Sequence, residues 1–192
     1  KELKEAVASI PSIQLVPTPN NLVDKVWGTK RPNLPVTPFR VHPLQYAGVS
    51  PSSKLTTLRE DMKKEGTSMA VFSTLDDCNY LLNLRANDVN CCPVGLCYIT
   101  VTADECILFC DEENKVKSSG EVCKHLEEAK VTIKPYDSIA GEITNHVKAK
   151  PENKVWMDSA RTNALLVSCV PKPAQLHNKQ NVVTVMKSVK NK

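Results

Sequence analysis

The stretch that decides the fold is Leu75-Asp76-Asp77-Cys78-Asn79-Tyr80-Leu81-Leu82-Asn83-Leu84-Arg85-Ala86-Asn87-Asp88-Val89-Asn90-Cys91-Cys92-Pro93-Val94. It reads as a short helix that opens on two acids and runs out into a polar loop. Negative charge at Asp76 and Asp77 suits a helix start, where the peptide dipoles leave a partial positive charge. Just before it, Met69-Ala70-Val71-Phe72 is an apolar run too short for a helix, which predicts a buried strand. Just after it, Gly95 to Thr102 and Glu105 to Cys110 are apolar and β-branched, separated by Ala103-Asp104, which predicts an antiparallel hairpin. A helix and loop held between core strands is the signature of an α/β domain, and such a loop is where polar groups are shown to a ligand or a neighbour.

The pattern continues outward in the same key. Pro51 and the serines around it predict a helix start, Leu55, Leu58 and Met62 mark its apolar face, and Gly66 sits where a helix ends. Downstream, helices are predicted over Glu121–Ala129, from Asp137 or Ser138 to about Lys148, and over Arg161–Val167 behind a Ser159 cap. Strands are predicted at Val131–Lys134, Lys154–Met157 and Val182–Val185. Strands alternating with helices, plus one hairpin, give the expected class: α/β, a mixed sheet flanked by helices. Upstream, a helix is expected over residues 1–10, a strand at Ile13–Val16, and a short helix capped by Asn20 or Asn21 over Leu22–Trp27. Pro32, Pro35, Pro38 and Pro43 then read as an extended linker. The expected division is therefore 1–27 as the end of a preceding domain, 28–49 as linker, 50–186 as the main domain and 187–192 as the start of another. The first residue is Lys1, inside an amphipathic pattern, so the chain is expected to be a fragment of a longer protein.

Bulk properties exclude several functions. The chain has 192 residues, 41% of them hydrophobic and 24% charged, which suits a globular fold and not a disordered one. Its net charge of +4 is mild, and no basic stripe with interleaved aromatics supports a nucleic-acid partner. No apolar run reaches the roughly 20 residues of a membrane span. Eight cysteines occur without any C-x-x-C spacing, so a zinc ribbon is not indicated. Cysteines scattered through core strands read as small buried hydrophobes of a reducing compartment, which gives cytoplasm as the expected location.

A catalytic set is not visible either. The acid pairs Asp76-Asp77, Glu112-Glu113 and Glu127-Glu128 read as solvated faces, because neighbours in sequence do not converge on one point. His42, His125, His146 and His177 are isolated, and Trp27 and Trp156 read as packing anchors. Neither phosphate-binding glycine motifs nor hydrolase signatures are present.

Several segments nonetheless carry a family likeness. Asn21-Leu22-Val23-Asp24-Lys25-Val26-Trp27 ahead of the proline-rich stretch resembles the segment that closes the first domain of Xaa-Pro aminopeptidases. Tyr46 to Ser50, with Lys54-Leu55 and Leu58-Arg59, resembles the opening of their middle domain. Leu75-Asp76-Asp77 and Leu82-Asn83-Leu84-Arg85, with Asp88 and Pro93, resemble the signature in which a helix ends in Asn-Leu-Arg-Gly-x-Asp. Lys154-Val155-Trp156 and Lys187 to Asn191 are similar to two later landmarks, the second leading into the catalytic domain. The likeness spans residues 21–192 in the family's order. It implies a creatinase/prolidase-like, ribonuclease-H-like middle domain of a three-domain metallopeptidase.

In that family the catalytic domain binds two manganese ions through two Asp, one His and two Glu, and cleaves the bond ahead of a proline at the second position. None of those ligands lies in this chain, so neither catalytic nor metal residues are expected here. The resemblance implies the first and catalytic domains of the same chain, peptide substrates and a second copy of the parent as partners. Asn83, Arg85 and Asp88 are the candidates for reaching the active-site entrance. The competing reading of Arg85 and Asp88 is a salt bridge or cap inside the loop. Ala86 stands where the family usually has glycine. A positive φ at this position would strain alanine by something like a kcal/mol. That departure leaves room for an alternative, a peptide- or histone-binding module like the large chaperone subunit of the FACT complex.

Overall fold

A computed structural model describes residues 6–16, 18 and 20–189. The chain divides into two compact units, Lys1–Leu34 and Pro35–Lys192.

In the first unit the described residues carry one helix of note, α1 (Leu22–Trp27). Asn21 caps it, its side chain accepting from the Val23 N–H, and Gly28 closes it at φ +52°. No residue of α1 is buried, and Trp27 is 49% exposed, so the packing role expected of it is not met within this unit. Ile13–Val16, expected as a strand, has no strand pairing. Residues 1–5 of the expected first helix lie outside the described residues, and only 6–8 are helical.

The second unit is built on a six-stranded mixed sheet. Its strands are β2 (Met69–Phe72), β4 (Tyr98–Thr102), β5 (Cys106–Cys110), β6 (Val131–Pro135), β7 (Val155–Trp156) and β8 (Leu176–His177), in the order β6-β5-β4-β2-β7-β8. The expected hairpin is β4–β5, antiparallel with Ile99 opposite Leu108. β2 pairs antiparallel with β4 and parallel with β7, while β5–β6 and β7–β8 are parallel. A separate two-stranded ribbon joins β1 (Arg40–Val41) to β3 (Leu84–Arg85). The second unit thus begins inside the proline-rich stretch, which supplies β1, the short α2 (Leu44–Ala47) and the buried Phe39.

Strand alternation sends side chains to opposite faces. On β2, Ala70 and Phe72 enter one core, with Leu55, Leu58 and Met62 of α3 (Pro51–Lys64), Leu81 of α4 (Leu75–Leu81) and Leu126 of α6 (Gly120–Glu128). Met69 and Val71 enter the other, with Ile139, Ile143 and Val147 of α7 (Ile139–Ala149) and Leu166 of α8 (Ala164–Ser168). Every residue of β2 is therefore buried, which is why its sequence is an unbroken apolar run. A short α5 (Glu112–Lys115) follows the hairpin.

Four expectations fail near the C-terminus and in the helix caps. α7 starts without a side-chain cap from Asp137 or Ser138, since the Ser138 hydroxyl donates to Pro135 O at 2.6 Å. Val182–Val185 is not a strand but the start of α9 (Val182–Ser188), capped by the Asn181 side chain. Its run of β-branched residues favours a strand, but the cap and the burial of Val183 against the first core override that preference. The helix expected from Arg161 starts only at Ala164, because Asn163, not Ser159, caps it. The Ser159 hydroxyl instead donates to the Asn178 side chain at 2.8 Å.

Candidate functional site

A cleft of ≈650 Å³ opens beside the quoted stretch, and its wall includes Asn79, Tyr80, Asn83, Arg85, Pro93 and Val94. Its volume lies in the range of small-ligand sites, roughly 300–1,000 Å³. Ser50 caps α3, Pro51 fills its first turn, and this start places Lys54 one turn in, on the same stripe as Leu58 and Met62. Lys54 is accordingly 2% exposed, although it lines the cleft. Its Nζ donates to Tyr80 O at 2.7 Å and to Asn83 Oδ1 at 2.6 Å, and lies 3.6 Å from the centre of the Tyr80 ring. Burial, helped by the nearby Arg85 charge, brings the Lys54 amine down to about 8.

Asn83 ends α4 in the left-handed region at φ +51°, a conformation that asparagine tolerates better than most residues. Its side chain donates to Val49 O at 2.9 Å and its carbonyl accepts from the His42 N–H at 2.7 Å. Asn83 is thus buried and fully engaged as the hinge that turns the chain from α4 into β3. Arg85 follows on β3, half-buried, with Nη1 donating to Leu84 O at 2.7 Å and no ion-pair partner among the described residues. His42 completes this side of the cleft. Burial and the charges of Arg85, Lys54 and Arg40 lower its titration, so it is neutral at ordinary pH.

Asp88 is not in the cleft wall. Its carboxylate is wholly buried and forms an ion pair with Lys115, itself 2% exposed. The same carboxylate accepts from the Leu96 N–H at 2.6 Å and from the Thr37 N–H and hydroxyl, both at 2.7 Å. Burial pushes the Asp88 carboxyl up, but Lys115 and these donors outweigh it and hold it below the usual carboxylate range. The loop after α4 is closed further by Asn79, which donates to Gly95 O at 3.0 Å and accepts from the Gly95 N–H at 3.1 Å.

Ala86 does not have the strained backbone its sequence position suggested, since positive φ among non-glycine residues is confined to Asn83, Cys91 and Lys130 among the described residues. Its methyl group is completely buried. The residue that must be small is Gly95, where an added Cβ would lie 2.3 Å from Phe39 Cε1 and 3.0 Å from Ala86 Cβ.

The acid pair at the helix start is split rather than solvated. Asp77 is fully buried and accepts from Lys187 at 2.9 Å and from the Thr74 hydroxyl at 2.6 Å, while Asp76 stays at the surface and also pairs with Lys187. Successive helix positions point about 100° apart, so one can reach the core while its neighbour meets water. Arg161 lies 3.6 Å from Asp77. The cysteines are all free, and four of them (Cys78, Cys97, Cys106 and Cys110) are buried. Burial pushes the Cys106 and Cys110 thiols up to about 12, which keeps them protonated and inert. Among the described residues, no group of three or more His, Cys, Asp and Glu side chains is placed to hold a metal ion, so these residues do not fit a manganese pair. No helix among the described residues is long and apolar enough to cross a membrane.

Sequence reasoning singled out Asn83, Arg85 and Asp88, and the structure brings only the first two to the cleft. It missed Lys54 and Lys115. Lys54 had a readable signal, a lysine at i−4 from Leu58 and i−8 from Met62 on an apolar stripe. Lys115 had none, because its partner is 27 residues away and its burial depends on how Phe39 packs.

The family model described as Creatinase/Prolidase N-terminal domain matches residues 30–192. Aminopeptidase P2 of Arabidopsis thaliana is 38% identical over 169 residues, or 88% of this chain and 23% of that protein. Xaa-Pro aminopeptidase ApepP of Drosophila melanogaster is 31% identical over 189 residues, or 97% of this chain and 30% of that protein. The X-prolyl aminopeptidase of Caenorhabditis elegans, described as a cytosolic enzyme with a di-nuclear active site, has a crystal structure that matches 98% of this chain. That match has a TM-score of 0.87 and 31% identity, and it covers 30% of the nematode chain. The chain therefore spans between 23% and 30% of the length of these relatives.

Proposed function

This chain belongs to the creatinase/prolidase N-terminal domain family, and from that premise we propose that it is the non-catalytic middle part of a metallo-aminopeptidase. The parent removes the N-terminal residue from peptides whose second residue is proline. The observation that carries the reading is the match to the nematode X-prolyl aminopeptidase, at a TM-score of 0.87 over nearly the whole chain. In this reading residues 1–27 end a preceding domain, the proline-rich stretch from 28 leads into the middle domain, whose compact unit already begins at Pro35, and 187–192 lead toward a catalytic domain. That domain holds two manganese ions, whose role is to activate a water and polarise the scissile carbonyl. The parent works in the cytoplasm as a homodimer.

The middle domain's task is to shape access to the active site and to hold its neighbours in place. Arg85, on the open wall of the cleft, is the residue offered toward the entrance. Asn83 and Asp88 serve by fixing the loop that carries it. Two measurements test this. The chain itself, supplied with manganese, should show no turnover of an Xaa-Pro peptide, and turnover would overturn the reading. In the full-length parent, Arg85→Ala should raise KM with the fold retained, whereas unchanged kinetics would remove Arg85 from the entrance.

A further inference from the structure

Lys54 is a buried cation that faces a cleft and meets no anion among the described residues. Its two hydrogen bonds go to neutral oxygens of Tyr80 and Asn83, and its remaining contact is the Tyr80 ring. Arg85, on the adjacent wall, donates to its own neighbour's carbonyl. Among the described residues, neither side chain has a carboxylate within ion-pair distance, and the one carboxylate lining the cleft, Asp76, is held by Lys187 and Arg161. A buried charge is expensive unless paired, and one left unpaired beside a second cation is a feature that a bound anion would resolve. The cleft is lined further by the apolar Tyr46, Val49, Pro93 and Val94, alongside the polar His42, Asn79 and Asn83.

We propose that this cleft is a binding site for a carboxylate carried on an apolar body, the carboxylate seated between Lys54 and Arg85 and the apolar part lying on Tyr46, Val49 and Val94. Such a group comes either from the free C-terminus of a short peptide or from a simple branched-chain acid. The cleft shares Arg85 with the entrance role proposed above, and binding measured apart from turnover keeps the failure of one reading distinct from failure of the other.

The site has a proton signature. The free Lys54 amine titrates at about 8, through burial and the Arg85 charge. A carboxylate beside it favours the ammonium, so binding near that pH takes up protons, and affinity falls as pH rises past it. The other groups facing the amine do not blur this. His42 is already neutral there, the Tyr80 phenol is raised by burial, and Asp76 and Lys187 are paired across the cleft.

The test is calorimetry on this chain at about pH 8, in two buffers of different ionisation enthalpy. The probes are N-acetyl-leucyl-leucine with a free carboxylate, its C-terminal amide and 4-methylpentanoate, with backbone-amide NMR locating the contact. The acid should bind at least about tenfold more tightly than the amide, the discrimination one charge-assisted contact provides. The peptide acid binding more tightly than 4-methylpentanoate supports the site with a peptide terminus as source, and equal binding supports it with simple acids as source. Arg85→Gln should weaken the acid about tenfold with an unchanged melting temperature, and Lys54→Met should abolish the proton uptake. If Lys54→Met does not fold, Arg85→Gln and the acid–amide comparison decide by themselves. Equal binding of acid and amide, no binding of either, or Arg85→Gln without effect would each overturn the assignment.

Discussion

The demand for a residue without a side chain falls on Gly95 and not on position 86. A backbone demand for glycine was expected at position 86, yet the demand is steric and lies nine residues later, where Phe39 and the Ala86 methyl close over Gly95. Gly95→Ala should therefore destabilise the fold by about 1–3 kcal/mol, as overpacking does. Ala86→Gly, far from relieving strain, should cost about 0.5–1 kcal/mol. Denaturant melts of the two variants separate these outcomes. Asp88 makes a sharper case. Asp88→Asn keeps the shape but strands the Lys115 ammonium in the core, at a cost of about 3–5 kcal/mol. Because the folded carboxyl sits below its usual range, Asp88 stabilises the native state above the unfolded carboxylate range. That stabilisation disappears as pH falls through the lowered folded value. The wild type should accordingly lose more stability than Asp88→Asn across acid pH, measured by urea midpoints. The reading of Asp88 as a salt bridge or cap was available from the sequence, but its partners Lys115 and Thr37 were not, since they come from remote segments. Lys54 had a local sign, as a charge on an apolar helical stripe.

Elements were read well where periodicity and punctuation agree. β2, the β4–β5 hairpin, α3 and α7 follow directly from unbroken apolar runs, a two-residue turn and apolar helical stripes, capped by Ser50 in α3 but uncapped by any side chain in α7. The reading failed at α9, where β-branched residues pointed to a strand and tertiary contacts made a helix. What holds α9 is a latch of its Lys187 to Asp76 and Asp77 at the start of α4, with Asn181 also donating to Asp77 at 3.4 Å. Asp77 has no solvent to fall back on, so Asp77→Asn should loosen α9 more than Asp76→Asn does. Hydrogen exchange at the amides of 183–188 should quicken in the first variant while the β4 and β5 amides stay protected. Equal exchange in both would show that the latch does not hold the helix.

At the scale of the whole chain, the class of fold followed from composition and alternation, and the likeness of five short segments pointed to the family that the comparisons bear out. The cleft was out of reach, because it is made where α3, the end of α4, β3 and α9 meet, and no sequence pattern reports that meeting. The sheet order has one more consequence, for the timing of folding. β4 and β5 are joined by a tight turn, and β2 reaches β4 across the quoted stretch, so the strands from β2 to β5 can assemble from one continuous run of chain. β7 cannot: Met69 pairs with Val155, and Val155 in turn with Leu176. The entropic penalty of closing that long loop defers the β2–β7 contact, as distant pairings do generally. On a ribosome, β2 must therefore wait with one edge bare until more than eighty further residues have emerged, a window in which a chaperone has most to do.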